Sequence, residues 1–118
     1  MKKNIVSDKS YLFALEIIKL YQHLSVDKRE FVLSKQLLRS GTAIGALIRE
    51  AEHAESSKDF LHKMSISLKE ANETLYWIQL LLDSSIIEIS FYNSIFPKAE
   101  ELVKILVSIV KTTKSKLI

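Results

Sequence analysis

Glu50 and His53 stand three residues apart, a spacing that puts a carboxylate and an imidazole on one helix face where both could hold a metal ion. Dinuclear carboxylate sites in helical bundles use two such Glu-x-x-His pairs and two further glutamates. This chain has one pair, because His23 and His62 have no glutamate three residues before them. The set is incomplete, so no metal and no other cofactor is expected. With no cysteine in the chain, a thiol nucleophile, a Cys-ligated metal and a disulfide are all excluded. Ser40, Ser65 and Ser67 fall within a helical stretch without a partnered histidine and read as small packing residues. Gly41-x-x-x-Gly45 lacks the following Lys-Ser/Thr and the preceding strand of a phosphate-binding loop. No catalytic residue and no small-molecule substrate emerge, and the chain is expected not to be an enzyme.

Charge points to binding rather than catalysis. The 118 residues carry 17 Lys and Arg against 14 Asp and Glu, a formal net charge of +3. The surplus lies toward the two ends of the sequence, whereas residues 30–83 carry more acids than bases. Such a balance permits contact with nucleic acid. The candidate contacts are Lys2, Lys3, Lys9 and Arg29 in the first third, Lys35 and Arg39 in the middle, and Lys111, Lys114 and Lys116 near the end. The last three equally suit a helix C-terminus, where cations oppose the helix dipole. Arg39 has a second possible role, as one half of a buried ion pair with Glu70. If buried, breaking that pair from one side would cost ~3–5 kcal/mol.

Gly41 and Gly45 are the only glycines, four apart in a stretch without proline that reads as helix throughout. Each costs ~1 kcal/mol relative to alanine in a helix interior. With Thr42, Ala43 and Ala46 they make a stretch thin enough for another backbone to approach closely. Gly41, Gly45 and Ile44 are therefore candidates for a tight helix or subunit contact. The expectation is that Gly41→Leu disturbs packing or assembly first.

The elements that must position these residues are all helices. Abundant Leu, Ile and Val with 2 Gly and 1 Pro argue for an all-α domain spanning 1–118. The patterns place helices at about 9–24, 30–54, 57–83 and 90–115. Ser7 or Asp8 is the expected first cap, and Ser56 with Asp59 gives a capping-box-like start to the third helix. The first helix has two apolar stripes, Leu12, Leu15, Ile18, Tyr21 and Phe13, Ile17, Leu20, Leu24. The second puts Leu37, Gly41, Ile44, Ile48 and Ala51 on one face, and the third runs Phe60, Met64, Leu68, Ala71, Leu75, Ile78, Leu82. Pro97 predicts a kink or a false start in the fourth, whose core stripe resumes at Leu102, Leu106, Ile109 and Val110. Four long helices with short turns predict an up-down-up-down antiparallel bundle. Leu61, Trp77, Leu80, Leu81, Ile105 and Val107 stand off these stripes, and the excess predicts a homo-oligomer. No apolar run approaches the ~20 residues of a membrane span. No membrane partner and a cytoplasmic setting are expected.

The stretch from Gln36 to Ala51, with Ala54 to Phe60, Ile66 to Ala71 and Glu73 to Trp77, resembles the four-helix bundle proteins encoded in intervening sequences of bacterial 23S ribosomal RNA genes. The same fold family includes the accessory variability determinant (Avd) of diversity-generating retroelements. The resemblance covers roughly residues 10–112. Arg39, Gly41, Ile44, Glu50, Ser56, Phe60 and Glu70 match the pattern, while Ala43 and Leu47 replace its usual Ser and Asn. These two departures leave packing intact and remove polar groups. The resemblance implies a homopentamer, and in the retroelement member it implies binding of a reverse transcriptase and nucleic acid. Two readings follow. One is a non-enzymatic oligomeric accessory protein of RNA or a ribonucleoprotein. The other is a protein-interaction scaffold without nucleic-acid binding.

Overall fold

The computed structural model describes residues 4–117. Lys2 and Lys3, two of the candidate contacts, lie outside the described residues. The fold is all-α: α1 (Ile5–Gln22), α2 (Leu33–Glu52), α3 (Ser57–Asp83) and α4 (Ile89–Lys116), with no strand among the described residues. The body is 48 Å long and 23 Å across in both other directions. Each helix packs on the next, and α4 returns against α1.

Helix boundaries follow from where backbone N–H groups find acceptors. Asn4 caps α1, accepting from the Ser7 amide at 3.1 Å, so the helix starts earlier than a cap at Ser7 or Asp8 would allow. At its other end α1 widens into a π turn at His23–Asp27, and Arg29 takes a positive φ of 53° as the chain reverses. The second helix does not begin at residue 30 but at Leu33, with Val32 at the cap position and the Glu30 side chain reaching in from two residues before it. The Glu30 carboxylate accepts the amides of Val32, Leu33 and Ser34 at 3.0, 3.1 and 2.7 Å. Partial burial raises the Glu30 pKa, but the amides of Ser34, Leu33 and Val32 and the Ser34 hydroxyl outweigh it and leave the pKa below its ordinary 4.5. Ser56 caps α3 through the Asp59 amide at 3.0 Å, and Asp59 in turn accepts from the Glu55 amide at 3.2 Å. Helix α4 runs through Pro97 without interruption, so there is no false start.

The core selects one of the two α1 stripes. Phe13, Ile17, Leu20 and Leu24 are buried, whereas Leu12, Leu15 and Ile18 stay 62, 43 and 38% exposed. All five positions expected on the α2 face are buried. On α3 the buried seam is turned by one position toward Met64, Ser67, Ala71, Thr74, Ile78 and Leu81, with Phe60, Leu68, Leu75 and Leu82 packed along its edge. The turn is possible because the buried hydroxyls are bonded. Ser67 donates to the Ile44 carbonyl at 2.9 Å, and Thr74 lies 2.8 Å from the Glu70 carbonyl and 2.9 Å from the Ser40 hydroxyl. Leu81 is thus core rather than surplus, and Leu61, Trp77 and Ile105 pack against the core. Most of the apolar excess assigned to α3 and α4 is absorbed inside one chain.

Contacts between elements fix their register. Position 45 lies beside 10 and 41 beside 17, 44 opposite 67 and 40 opposite 74, 9 opposite 101 and 16 opposite 98.

Candidate functional site

The two glycines lie on the seam between α1 and α2. A Cβ built on Gly41 would stand 2.8, 3.0 and 3.1 Å from the Cγ1, Cγ2 and Cδ1 of Ile17, a side chain with no exposure. At Gly45 it would meet Ser10 Oγ at 3.2 Å and nothing else closer than 3.5 Å. The helix bearing the glycines is therefore pressed hardest against its neighbour at Gly41. Ile44, one turn on, is fully buried. Both glycines face a helix of their own chain. Further out along this seam, Thr42, Gly45 and Ala46 leave a shallow groove of about 280 Å³ with Ser7, Tyr11 and Ala14, and the Arg49 guanidinium lies 5.4 Å from the centre of the Tyr11 ring.

Arg39 reaches across from α2 to α3. Its Nη1 lies 3.2 and 3.0 Å from the two Glu70 oxygens, its Nη2 contacts Glu73, and the Trp77 indole N–H holds Glu73 at 3.0 Å. Hydrogen bonding to Glu70 raises the guanidinium pKa against some desolvation, with the charges of both glutamates adding to it. The expectation of a buried pair is corrected here. The Arg39 side chain is 50% exposed and that of Glu70 19%, so the pair lies at the solvent edge of the α2–α3 contact rather than in the core. Glu73 and Trp77 complete the group, and their positions three and seven after Glu70 are the signal that one helix face carries all three.

The candidate basic residues do not gather in one place. Lys9 is paired with Glu101 at 3.1 Å, and Arg39 is held by two carboxylates. Arg29 and Lys35 are exposed beside the α1–α2 connection. That end adjoins the start of α4, since the His23 and Phe91 rings stack with centroids 5.1 Å apart. Lys111, Lys114 and Lys116 are exposed in the last turns of α4, roughly 30–40 Å away at 1.5 Å per residue. None of these last five makes an ion pair among the described residues.

The Glu-x-x-His spacing assembles no ligand set. Glu50 pairs with Lys63 at 3.0 Å, and His53 is exposed at the end of α2. Among the described residues no group of three or more His, Cys, Asp or Glu could hold a metal ion. No helix among the described residues is long and apolar enough to cross a membrane.

One surface was not singled out from the sequence, the outer face of α1. A groove of about 420 Å³ runs between α1 and α4, with Leu12 and Leu15 on its α1 wall. Two ion pairs, Lys9–Glu101 and Glu16–Lys98 at 3.1 and 2.6 Å, bridge it. The signal for this face was the second apolar stripe of α1, which the sequence could not assign to inside or outside.

Residues 2–108 match the family described as 23S rRNA-intervening sequence protein. No curated protein matches the chain. Among solved structures, the chain is similar to the 1.70 Å crystal structure of a protein of unknown function from the S23 ribosomal protein family of Bacteroides thetaiotaomicron. The two are 52% identical with a TM-score of 0.89, over 91% of this chain and 99% of that one.

Proposed function

The chain belongs to the 23S rRNA-intervening sequence protein family, and from that membership we propose a non-enzymatic, self-assembling accessory protein that binds RNA or a ribonucleoprotein in the cytoplasm. The observation that carries this reading is that five of the candidate contacts, Arg29, Lys35, Lys111, Lys114 and Lys116, are exposed and without carboxylate partners among the described residues, at two ends of an elongated body. Phosphate contacts require cations not already neutralised within the protein. Lys9 and Arg39 leave the list of contacts for that reason.

Two architectural readings support it. We infer that the helices alternate in direction as an up-down-up-down antiparallel bundle. In every paired position along the three seams, residue numbers rise on one helix as they fall on the next. We also infer assembly into a homopentamer, the state that the resemblance implies. Exposed apolar side chains on α1 support self-association. Five copies would multiply weak phosphate contacts made at separate ends of each protomer.

The test is a titration of RNA binding against salt. Affinity that falls linearly in log–log form supports the reading, and no affinity at low salt overturns it. Recovery of a protein partner that survives nuclease treatment, together with no RNA affinity, would favour the scaffold reading instead. A reverse transcriptase would be one such partner.

A further inference from the structure

The end of the bundle that carries the α1–α2 connection exposes apolar side chains that the core does not use. Val26, Phe31 and Val32 in that connection are 73, 50 and 72% exposed, and Ile89 and Phe91 at the start of α4 are 58 and 36% exposed. None of the five belongs to the core cluster. The His23 ring, just after α1, stacks on Phe91 and so joins the two segments at one end. Ser40 lies opposite Thr74, which sets the start of α2 beside the end of α3 at that same end. This patch caps the bundle, whereas the apolar face of α1 that supports self-association runs along its side.

Cations alternate with these side chains. Lys28, Arg29 and Lys35 are exposed among Val26, Phe31 and Val32, and none of the three makes an ion pair among the described residues. Three of the neighbouring acids are occupied. Asp27 lies 2.8 Å from His23 Nδ1, Glu30 accepts the first amides of α2, and Asp83 accepts from the Gln79 side chain at 3.0 Å. Glu88 is exposed and makes no ion pair among the described residues. The connection itself is held in place: the Lys28 amide donates to the His23 carbonyl at 3.3 Å and the Glu30 amide to the Leu24 carbonyl at 2.8 Å. Arg29 and Phe31 therefore stand on a fixed turn, and a ligand need not order it.

Exposed rings interleaved with unneutralised cations match one kind of polymer. A single-stranded nucleic acid alternates flat bases, which stack on aromatic side chains, with phosphates, which need cations. A duplex keeps its bases stacked inside and offers such a surface mainly its backbone. Phe31 has half its surface free and stacks on no other ring among the described residues.

We propose that this end of the bundle binds single-stranded RNA, with Phe31 as the platform on which a base stacks and Lys28, Arg29 and Lys35 on the flanking phosphates. The proposal rests on the RNA-binding reading above and names the form of RNA that this end takes.

The test measures affinity of the full chain for an oligouridylate single strand and for its duplex with oligoadenylate, each across a salt series. Wild type is expected to prefer the single strand. Phe31→Leu keeps an apolar side chain and removes the ring. It is expected to weaken single-strand binding by about 5-fold or more at every salt, with the salt slope and the duplex affinity unchanged. Phe31→Tyr, which keeps a ring, is expected to bind as wild type does. Arg29→Gln is expected instead to flatten the single-strand salt slope by about 0.7. Circular dichroism with unchanged helix content shows that each variant is folded. A wild type that binds duplex as well as single strand, or a Phe31→Leu variant that loses nothing or loses both alike, overturns the stacking site and leaves RNA binding standing. No affinity for either RNA overturns both. Loss of a nuclease-resistant protein partner in Phe31→Leu, with no RNA affinity, would give this surface to a protein instead.

Discussion

At the scale of single residues, the two glycines separate. Gly41→Ala gains helix propensity of ~1 kcal/mol, but its methyl would stand 2.8 Å from Ile17, which is fully enclosed. Overpacking of a tight core costs ~1–3 kcal/mol, so the variant is expected to be less stable than wild type by about 1 kcal/mol. Gly45→Ala meets only the Ser10 hydroxyl at 3.2 Å. The propensity gain then dominates, and stability is expected to be unchanged or higher by up to ~1 kcal/mol. Thermal melts in the order Gly45→Ala, wild type, Gly41→Ala check both, and a reversed order would show that the Ile17 contact is slack. Arg39 is the other residue where magnitude decides. Its side chain is 50% exposed, so Arg39→Met is expected to cost ~0.5–1 kcal/mol, the range of a well-formed exposed network, rather than the several kcal/mol of a broken buried pair. The loss should shrink in added salt; urea melts showing a loss above ~3 kcal/mol would mean that the group behaves as buried.

At the scale of elements, α2 depends on a residue outside its hydrogen-bonded span. Glu30 accepts the first three free amides of the helix, a role usually filled by Ser, Thr, Asp or Asn at the cap position itself, which here is Val32. Glu30→Ala is expected to lower stability by ~1–2 kcal/mol through those unpaired donors. The pH dependence has a fixed sign. Because the folded pKa is held below 4.5, this contribution is fully present above that value and is lost as pH falls through the folded value. The difference in stability between wild type and Glu30→Gln should therefore narrow in acid, below pH 4.5, and stay constant above it. A gap that widens on acidification would contradict the geometry.

At the scale of the whole molecule, the proposed RNA binding rests on where unneutralised charge lies. Lys111, Lys114 and Lys116 share the last turns of α4, and replacing all three by Gln removes charge without touching the core. RNA affinity is expected to fall, and the slope of log affinity against log salt to flatten by about 0.7 for each lysine that contacts a single-stranded phosphate. An unchanged slope would assign these lysines to the helix dipole alone.

The helical character, the number of helices, the start of α3 at its Ser56 cap and the apolar part of the buried face of α2 were legible in the sequence, though not the buried Ser34 and Ser40. They depend on periodicity and local capping, which are encoded within a few turns of chain. The Gly41–Gly45 spacing also marked a close approach before the neighbour was known. Tertiary structure alone decided the rest. It chose which of two equally apolar α1 stripes faces inward, because only packing against α2 places Ile17 on Gly41. It also turned the α3 seam onto Ser67 and Thr74, since hydroxyls can be buried once partners from α2 and from α3 itself bond them. Finally, it set Arg39 at a rim rather than in a core, and it left Asp8 and Lys19 unpaired while answering Lys9 and Glu16 from α4. A sequence gives each side chain's chemistry and its position around its own helix. Exposure and pairing are properties of the space between helices, and that space exists only after they pack.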